Sequence, residues 1–467
     1  QVTKESYNHY SFDWTKDNNS LIFTSNYNED WEYDFRNSEI YSISTDGLSF
    51  SQLTDRNGPD RNPIVSNDGT KIAYIGFDDK VQTHQVSRLY LMNIDGSDKK
   101  EIVTNLDRSI SSIKWAGDDS GIYFSYDNYG NTKVAFVSLS GRVETLANNL
   151  GGTSIGRPYG GGSFSISKSK SFSYTITSPY HPADIAYYDG KKVKRLTNLN
   201  KDLLDIKDLG SIEEIWYKST IDGRKIQGWI AKPPGFKENM KYPLIVENHG
   251  GPISNYGDRF SPEILLYSSA GYVVFYPNPR GSTSYGEEFG NLLYRNYPGD
   301  DYHDVMDGVD EVLSLGYVDE NKLFVTGGSA GGIMTAWIIG KTNRFKASAV
   351  IKPVMNWISK TLVADNYFGY AHSRYEGQPW ENPEHYWSFS PISLVGNVET
   401  PTMVMVGTND LRTPPSEAKQ LYHALKLRKI ETVYVEIPGA YHNISNRPSQ
   451  LISKIDHILY WFNKYLD

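Results

Sequence analysis

The segment KLFVTGGSAGGIMTAWII, residues 322–339, decides the fold of the C-terminal half of the chain. Residues 323–326 predict a buried strand, and an amphipathic helix is predicted over 331–341. Between them lies Gly327-Gly328-Ser329-Ala330-Gly331, which matches the pattern G-x-S-x-G. Glycines allow the sharp turn that presents such a serine, and the helix N-terminus behind it favours a developing negative charge. We therefore predict Ser329 as a nucleophile.

Segments of strand length and helix length alternate on both sides of this turn. Predicted strands cover 212–219, 225–231, 244–247, 273–276, 323–326, 347–351, 402–406 and 433–437. Predicted helices cover 301–315, 331–341, 416–428 and 451–465. Such alternation predicts a doubly wound, mostly parallel sheet, and the nucleophile on a strand-to-helix turn indicates an α/β-hydrolase domain.

A different pattern, with a regular repeat, fills the N-terminal part. Trp14, Val65, Trp115 and Ile166 are spaced 51, 50 and 51 residues apart. Each is followed by a turn, two short strands and a glycine turn, the last at Gly47, Gly96, Gly141 and Gly190. This period is typical of four-stranded propeller blades, whereas unrelated hairpins of a β-sandwich would not explain the regular spacing. We predict four β-propeller blades over 1–205 and the α/β-hydrolase catalytic domain over 206–467.

An α/β-hydrolase carries its acid and then its base after the nucleophile. Asp410 directly follows the predicted strand 402–406, and His442 lies in the loop after the strand 433–437. These positions predict the triad Ser329, Asp410 and His442, in which the histidine moves the proton and the aspartate orients it. The remaining candidates occupy weaker positions: His303, His423, His457, Asp319 and Asp365.

The tetrahedral intermediate of such a reaction needs two donors for its oxyanion. Ala330 offers the backbone N–H directly after the nucleophile. The second donor is predicted in His249-Gly250-Gly251-Pro252, at Gly250 or Gly251, because this turn follows the buried strand 244–247. A simple Gly-Pro turn is the alternative interpretation of this stretch.

Composition narrows the class of partner. The formal charge is −8 and no dense block of Lys or Arg occurs, so nucleic acid and anionic membranes are not favoured partners. The absence of Cys excludes disulfides, thiolate zinc sites and a thiol nucleophile. No cofactor and no metal are predicted, and a homo-oligomer is left open.

The first residues of the chain bear on the cellular compartment in which the protein is expected. No run of about 18 apolar residues occurs, and the first ten residues lack the blocks of a secretory signal. A cytoplasmic location is the default expectation. Because the chain begins with Gln and enters a strand pattern at once, we also expect a processed or truncated form.

Five motifs together resemble the prolyl oligopeptidase family, and most closely its acylaminoacyl peptidases. They are HGGP at 249–252, NPRGS at 278–282 with Tyr285-Gly286, GGSAGG at 327–332, NDLRTP at 409–414 and PGAYH at 438–442. The resemblance implies a propeller that usually has seven or eight blades, so the N-terminal part is expected to be incomplete. It also implies short peptide substrates, and a role for Arg412 in binding the carbonyl of the residue before P1.

One acidic loop departs from this picture. Dipeptidyl peptidases of the same family hold the free amino group of the substrate with paired glutamates on the propeller. Here the loop 29–34 is strongly acidic, and Glu29, Asp30, Glu32 or Asp34 could make that contact, with Glu29 and Glu32 as the chosen candidates. A solvated hairpin is the simpler interpretation.

Three functions compete at this point. The first is a serine peptidase that acts on short peptides and releases N-acylated amino acids or dipeptides, with a dipeptidyl peptidase as its variant. The second is a carboxylesterase or lipase, because the same triad cleaves esters. The third is a propeller binding module fused to an inert hydrolase domain. The pocket for P1 is expected to draw on the loop 357–375, whose path the sequence does not give.

Overall fold

The computed structural model describes residues 2, 3 and 6–466, without the side chains of 371 and 372. The ends of the two predicted domains, Gln1 and Asp467, lie outside this range.

The N-terminal part forms four separate antiparallel sheets of four strands, each with its strands in chain order. The first sheet holds β1 (His9–Trp14), β2 (Ser20–Ser25), β3 (Glu39–Ser44) and β4 (Phe50–Gln52), and the second β5 (Asp60–Val65), β6 (Lys71–Gly76), β7 (Arg88–Asn93) and β8 (Lys100–Glu101). The third holds β9 (Ser111–Trp115), β10 (Gly121–Asn128), β11 (Asn131–Ser138) and β12 (Val143–Ala147), and the fourth β13 (Phe164–Ile166), β14 (Phe172–Ser178), β15 (His181–Tyr188) and β16 (Val193–Arg195).

The sequence repeat marks one structural position in each sheet. Trp14, Val65, Trp115 and Ile166 are the last residues of β1, β5, β9 and β13. In the first three sheets an aspartate closes the following turn; Asp68, for example, accepts a hydrogen bond from the Thr70 N–H at 2.9 Å. The fourth turn has Ser169 in place of the aspartate. The prediction of four propeller blades is confirmed.

Neighbouring blades pack face to face in chain order. Ile22 and Ile40 of the first blade share a buried cluster with Ile72 of the second. Leu89 of the second blade and Phe124 of the third share another buried cluster, and one further cluster joins the third blade to the fourth. Because each sheet alternates its side chains between two faces, the second and third blades supply apolar residues to both neighbours.

The C-terminal part is built on one sheet of eight strands. They are β17 (Ser211–Lys218), β18 (Lys225–Lys232), β19 (Tyr242–Asn248), β20 (Val273–Asn278), β21 (Val318–Gly328), β22 (Ala347–Ile351), β23 (Thr402–Gly407) and β24 (Thr432–Ile437), in the order β17-β18-β20-β19-β21-β22-β23-β24. The pairs β17/β18 and β18/β20 are antiparallel, and all other pairs are parallel. The predicted α/β-hydrolase class, with its mostly parallel sheet, is confirmed.

Helices cover both faces of this sheet and bury two separate cores. The helices of the described residues are α1 (Lys201–Leu204), which lies in the connection before β17, α2 (Pro262–Ser269), α3 (Glu287–Asn291), α4 (Asp301–Ser314), α5 (Ala330–Lys341), α6 (Trp357–Val363), α7 (Gly369–Ser373), α8 (Pro383–Ser388), α9 (Pro415–Leu427) and α10 (Pro448–Asn463), with 3₁₀ turns at Pro391–Asn397 and Ile444–Asn446. The four long predicted helices correspond to α4, α5, α9 and α10. Among the residues that the structure describes, no helix is long and apolar enough to cross a membrane.

The connection between the two parts runs from the end of β16 at Arg195, through α1, to the start of β17 at Ser211. The predicted domain boundary near 205 falls inside this connection, and it stays a prediction.

Candidate active site

Ser329 stands between the end of β21 and the start of α5, with φ 60° and ψ −124°. A non-glycine residue in this region is strained, and such strain is typical of a nucleophile held out for reaction. Two neighbouring positions must be glycine, because backbone oxygens lie too close to them for a side chain to fit. A Cβ at Gly331 would collide with the carbonyl oxygen of Asn248, and one at Gly327 would collide with that of Gly331. The turn can therefore approach β19 only because these residues have no side chain.

The structure brings the predicted acid and base to Ser329. His442 Nε2 lies 3.0 Å from Ser329 Oγ, and His442 Nδ1 lies 2.9 Å from Asp410 Oδ2. The nucleophile, the base and the acid thus form one continuous hydrogen-bonded chain. In it the Nδ1 proton is donated to the carboxylate and Nε2 is left as the acceptor of the serine proton.

Asp410 is fully buried, yet it remains charged. Burial opposes the charged form, but hydrogen bonds from His442 and Thr413 hold the pKa of Asp410 below its ordinary value. The Arg412 and Thr413 N–H groups donate to Oδ1 at 2.9 Å each, and Thr413 Oγ1 donates to Oδ2 at 3.0 Å. Because several donors converge on it, the carboxylate is fixed in direction as well as in charge.

The surroundings of His442 favour the neutral form of its ring, which is the form that can act as a base. Burial lowers the pKa of His442, and the nearby positive charge of Lys352 lowers it further against the opposing effect of Asp410. Lys352 also donates a hydrogen bond to the His442 backbone carbonyl. A neutral imidazole is the form that can accept the proton of Ser329.

The two predicted oxyanion glycines have different environments. The Gly250 N–H already donates to Tyr159 Oη at 2.6 Å, so it is not free to bind an oxyanion. Among the described residues, no acceptor is bonded to the N–H of Gly251 or of Ala330, and Gly251 lines the same cavity as Ser329 and Ala330. Of the two glycines between which the sequence left the choice open, Gly251 is therefore the one whose N–H remains available.

Buried hydrogen bonds hold this glycine turn in place. His249 Nδ1 bonds the Gly250 carbonyl at 2.8 Å, and His249 Nε2 bonds Ser282 Oγ at 2.9 Å. Burial lowers the pKa of His249 to about 4, so the ring is neutral and serves as a structural link. The contact joins the motif at 249–252 to the motif at 278–282.

A cavity of about 300 Å³ opens on one side of Ser329. Its walls combine apolar residues, Ile333 and Val354 with Trp357 and Tyr370 from the loop 357–375, and the basic residues Lys360 and Arg374, and we call it the Trp357 cavity. Arg412 also lines it, where its guanidinium binds Asp365 with Nε 2.7 Å from Oδ1 and Nη2 3.3 Å from Oδ2. Asp365, which the sequence ranked as a weak catalytic candidate, thus orients Arg412.

The two candidate glutamates of the propeller stand away from this cavity. Neither Glu29 nor Glu32 is among its lining residues, and Glu29 is exposed. The pKa of Tyr367 is raised first by burial and then by the carboxylate of Glu32, so the charge of Glu32 acts on the loop 357–375. Neither glutamate lines the cavity with Ser329.

Two residues of the propeller reach the site without having been singled out in the sequence. Arg157 and Tyr159 lie in the connection between β12 and β13 and line a second cavity, of about 540 Å³, together with Ser329 and His442. The sequence contains one local indication of this loop, since six of the twelve residues 151–162 are glycine. A glycine-rich connection inside a regular repeat indicates a loop that approaches other backbone closely.

Comparisons with known proteins agree with the fold and the site. A sequence model of the prolyl oligopeptidase family matches residues 258–467. An uncharacterized peptidase of Bacillus subtilis, YuxL, is 36% identical over 357 residues, which are 75% of this chain and 53% of that protein. Dipeptidyl-peptidase 5 of Schizosaccharomyces pombe is 28% identical over 439 residues, which are 91% of this chain and 62% of that protein.

Solved structures give the same grouping. An acylaminoacyl peptidase of Pyrococcus horikoshii superposes with a TM-score of 0.83 and 25% sequence identity, over 98% of this chain and 70% of that one. The chain spans between about half and two thirds of the length of the curated relatives described above.

Proposed function

The chain belongs to the prolyl oligopeptidase family, and we propose that it hydrolyses short peptides as a serine peptidase through an acyl-enzyme on Ser329. The observation that carries this proposal is the hydrogen-bonded chain from Ser329 Oγ through His442 to Asp410, with links of 3.0 and 2.9 Å. Both distances lie within the range that proton transfer requires.

The geometry supports a two-step reaction. Ser329 Oγ attacks the scissile carbonyl carbon and its proton passes to His442 Nε2, while the N–H groups of Ala330 and Gly251 receive the oxyanion. The C–N bond then breaks, and His442 returns the proton to the leaving amine. In the second step water attacks the ester carbonyl and gives one proton to His442. The C–O bond to Ser329 breaks, the proton returns to Oγ, and the acid product leaves.

We propose that the acyl half of the substrate is a blocked amino acid or a short blocked peptide. The apolar residues of the Trp357 cavity would suit a P1 side chain, and the resemblance implies that Arg412, which lines this cavity, donates to a carbonyl oxygen of the substrate. Among the described residues no carboxylate lines this cavity, so a free ammonium group would be desolvated there without an anionic partner. An N-acetyl group carries no such charge.

A dipeptidyl peptidase is the second candidate, because the negative charge of Glu32 acts on Tyr367 in the loop 357–375. A free N-terminal ammonium that extends beyond the cavity toward Tyr367 would approach this carboxylate. Dipeptidyl-peptidase 5 is also the name of one of the relatives described above.

A matched pair of substrates separates the two candidates. We expect N-acetyl-Ala-Phe-p-nitroanilide to be hydrolysed with a kcat/KM at least about tenfold above that of Ala-Phe-p-nitroanilide, because tenfold corresponds to about 1.4 kcal/mol of uncompensated charge burial. Ser329→Ala is the blank for both reactions. A preference for the free amine that Glu32→Gln abolishes, and Glu29→Gln does not, would favour the dipeptidyl peptidase. Hydrolysis of neither anilide, alongside rapid hydrolysis of p-nitrophenyl esters, would contradict a peptidase.

A further inference from the structure

A second cavity lies beside Ser329. Its volume is about 540 Å³, and its lining includes the propeller loop 153–157 and residues 442–446 of the catalytic domain. Three basic residues line it: Arg157, Lys352 and Lys454. We call it the cationic cavity. Its size lies within the range of about 300–1,000 Å³ of cavities that bind small ligands.

Two carboxylates partly balance these three bases. Arg157 Nη2 lies 2.7 Å from Glu247 Oε1, and Lys454 Nζ lies 2.5 Å from Glu263 Oε2. Arg157 Nε also approaches Glu263 Oε1 at 3.4 Å. Burial raises the pKa of Glu247 to about 7 and lowers the pKa of Lys352 to about 7, so each loses part of its charge near neutral pH. The three bases outnumber the two carboxylates by one, which leaves an excess of positive charge beside the cavity.

Arg157 retains one donor group for a ligand. Its side chain is only 7% exposed, and Nε and Nη2 form ion pairs with Glu263 and Glu247 without the geometry of hydrogen bonds. Nη1 makes no hydrogen bond within the part of the chain that the structure describes. A Cβ at Gly328 would lie 2.8 Å from this nitrogen, so Nη1 stands against the residue that precedes the nucleophile. A buried guanidinium with a free N–H on a cavity wall is a strong binding group for a carboxylate.

The position of the cavity indicates which half of the substrate it holds. Ser329 lines both the Trp357 cavity and the cationic cavity. When the acyl half fills the Trp357 cavity, the leaving half must extend away from it, beyond the scissile bond. The cationic cavity also contains residues 443–446 directly after His442, the residue that returns a proton to the leaving amine.

We propose that the cationic cavity binds the free C-terminal carboxylate of the leaving fragment, through Arg157 with Lys352 and Lys454 as further cations. The inference rests on the proposed peptidase function and adds that the enzyme favours peptides that end shortly after the scissile bond. The propeller thereby contributes a specificity residue to the catalytic site.

A substrate pair tests this in the unmodified protein. N-acetyl-Phe-Ala and N-acetyl-Phe-Ala-amide differ only in the terminal carboxylate, and release of N-acetyl-Phe is followed by mass spectrometry. We expect the acid to be cleaved with a kcat/KM about tenfold or more above that of the amide, as for one hydrogen bond between charged groups. Arg157→Met is expected to bring this ratio close to one. Lys168→Met, which removes an exposed charge on the fourth blade outside the cavity, is expected to keep the ratio.

The outcomes separate the two proposals. Equal cleavage of acid and amide by the unmodified protein, or preferred cleavage of the amide, would overturn the carboxylate site and leave the peptidase intact. Cleavage of neither peptide, nor of the anilides, would overturn the peptidase and the carboxylate site together. Because the first comparison needs no substitution, it holds even where Arg157→Met fails to fold.

Discussion

Replacement of Asp410 by Asn tests how the acid supports catalysis. The side chain keeps its shape, and its remaining oxygen can take the place of Oδ1, which accepts the N–H groups of Arg412 and Thr413 at 2.9 Å. The new NH₂ group then faces His442 Nδ1, which lies 2.9 Å from Oδ2 in the unmodified protein. A donor at this place forces Nδ1 to act as an acceptor, so the ring proton moves to Nε2. In that tautomer His442 cannot take the proton of Ser329.

The expected loss of activity follows from the change of tautomer in His442. Loss of the correct tautomer and of the charge opposite the imidazolium lowers kcat by on the order of 10⁴-fold in triads of this geometry. Stability is expected to fall much less, by about 1–3 kcal/mol, because Thr413 Oγ1 can rotate to accept from the new amide. The assay is kcat on N-acetyl-Ala-Phe-p-nitroanilide, with thermal unfolding as the control for folding. A loss of kcat below about tenfold in a folded Asp410→Asn protein would refute the role assigned to Asp410.

Two further predictions concern residues that support the catalytic centre. Lys352→Met removes a positive charge that lowers the pKa of His442, so the pKa of His442 should rise. The acidic limb of the kcat/KM profile should then move to higher pH, by about one unit or less. An acidic limb that does not move, or that moves to lower pH, would contradict this prediction. Gly331→Ala places a Cβ against the Asn248 backbone and should cost about 2 kcal/mol or more, seen as a lower unfolding temperature. Gly396→Ala, where the Cβ meets open space, is the matched control, and equal effects of the two changes would show the glycine contact to be unimportant.

The sequence predicts most of the architecture because local rules produce it. The apolar strand and glycine turn around Ser329 give a strand, a turn and a helix whatever the rest of the chain does. The spacing from Trp14 to Ile166 reflects a repeated local unit, and each marker residue ends the first strand of its blade. The short helices α6, α7 and α8 were missed, since five to seven residues show too little periodicity to be distinguished from a loop.

The residues that the sequence did not yield depend on tertiary placement. Tyr159 and Arg157 reach the site only because the blades position their loop against the turn at Gly250, about 90 residues further along the chain. No local pattern encodes such a contact. The choice between Gly250 and Gly251 also depends on Tyr159, because its hydroxyl occupies one of two adjacent N–H groups. Side-chain partners from another domain are therefore the part of a site that sequence patterns predict least well.

The most direct test of the central claim is covalent labelling of the nucleophile. The purified protein is treated with an alkyl fluorophosphonate, and the adduct is located by peptide mass spectrometry. One adduct, on Ser329, is predicted; it should be absent from Ser329→Ala and form far more slowly in His442→Ala, because the serine is activated only through the ring 3.0 Å from Oγ. Labelling at another residue, or at equal rates with and without His442, would contradict an activated serine at this turn.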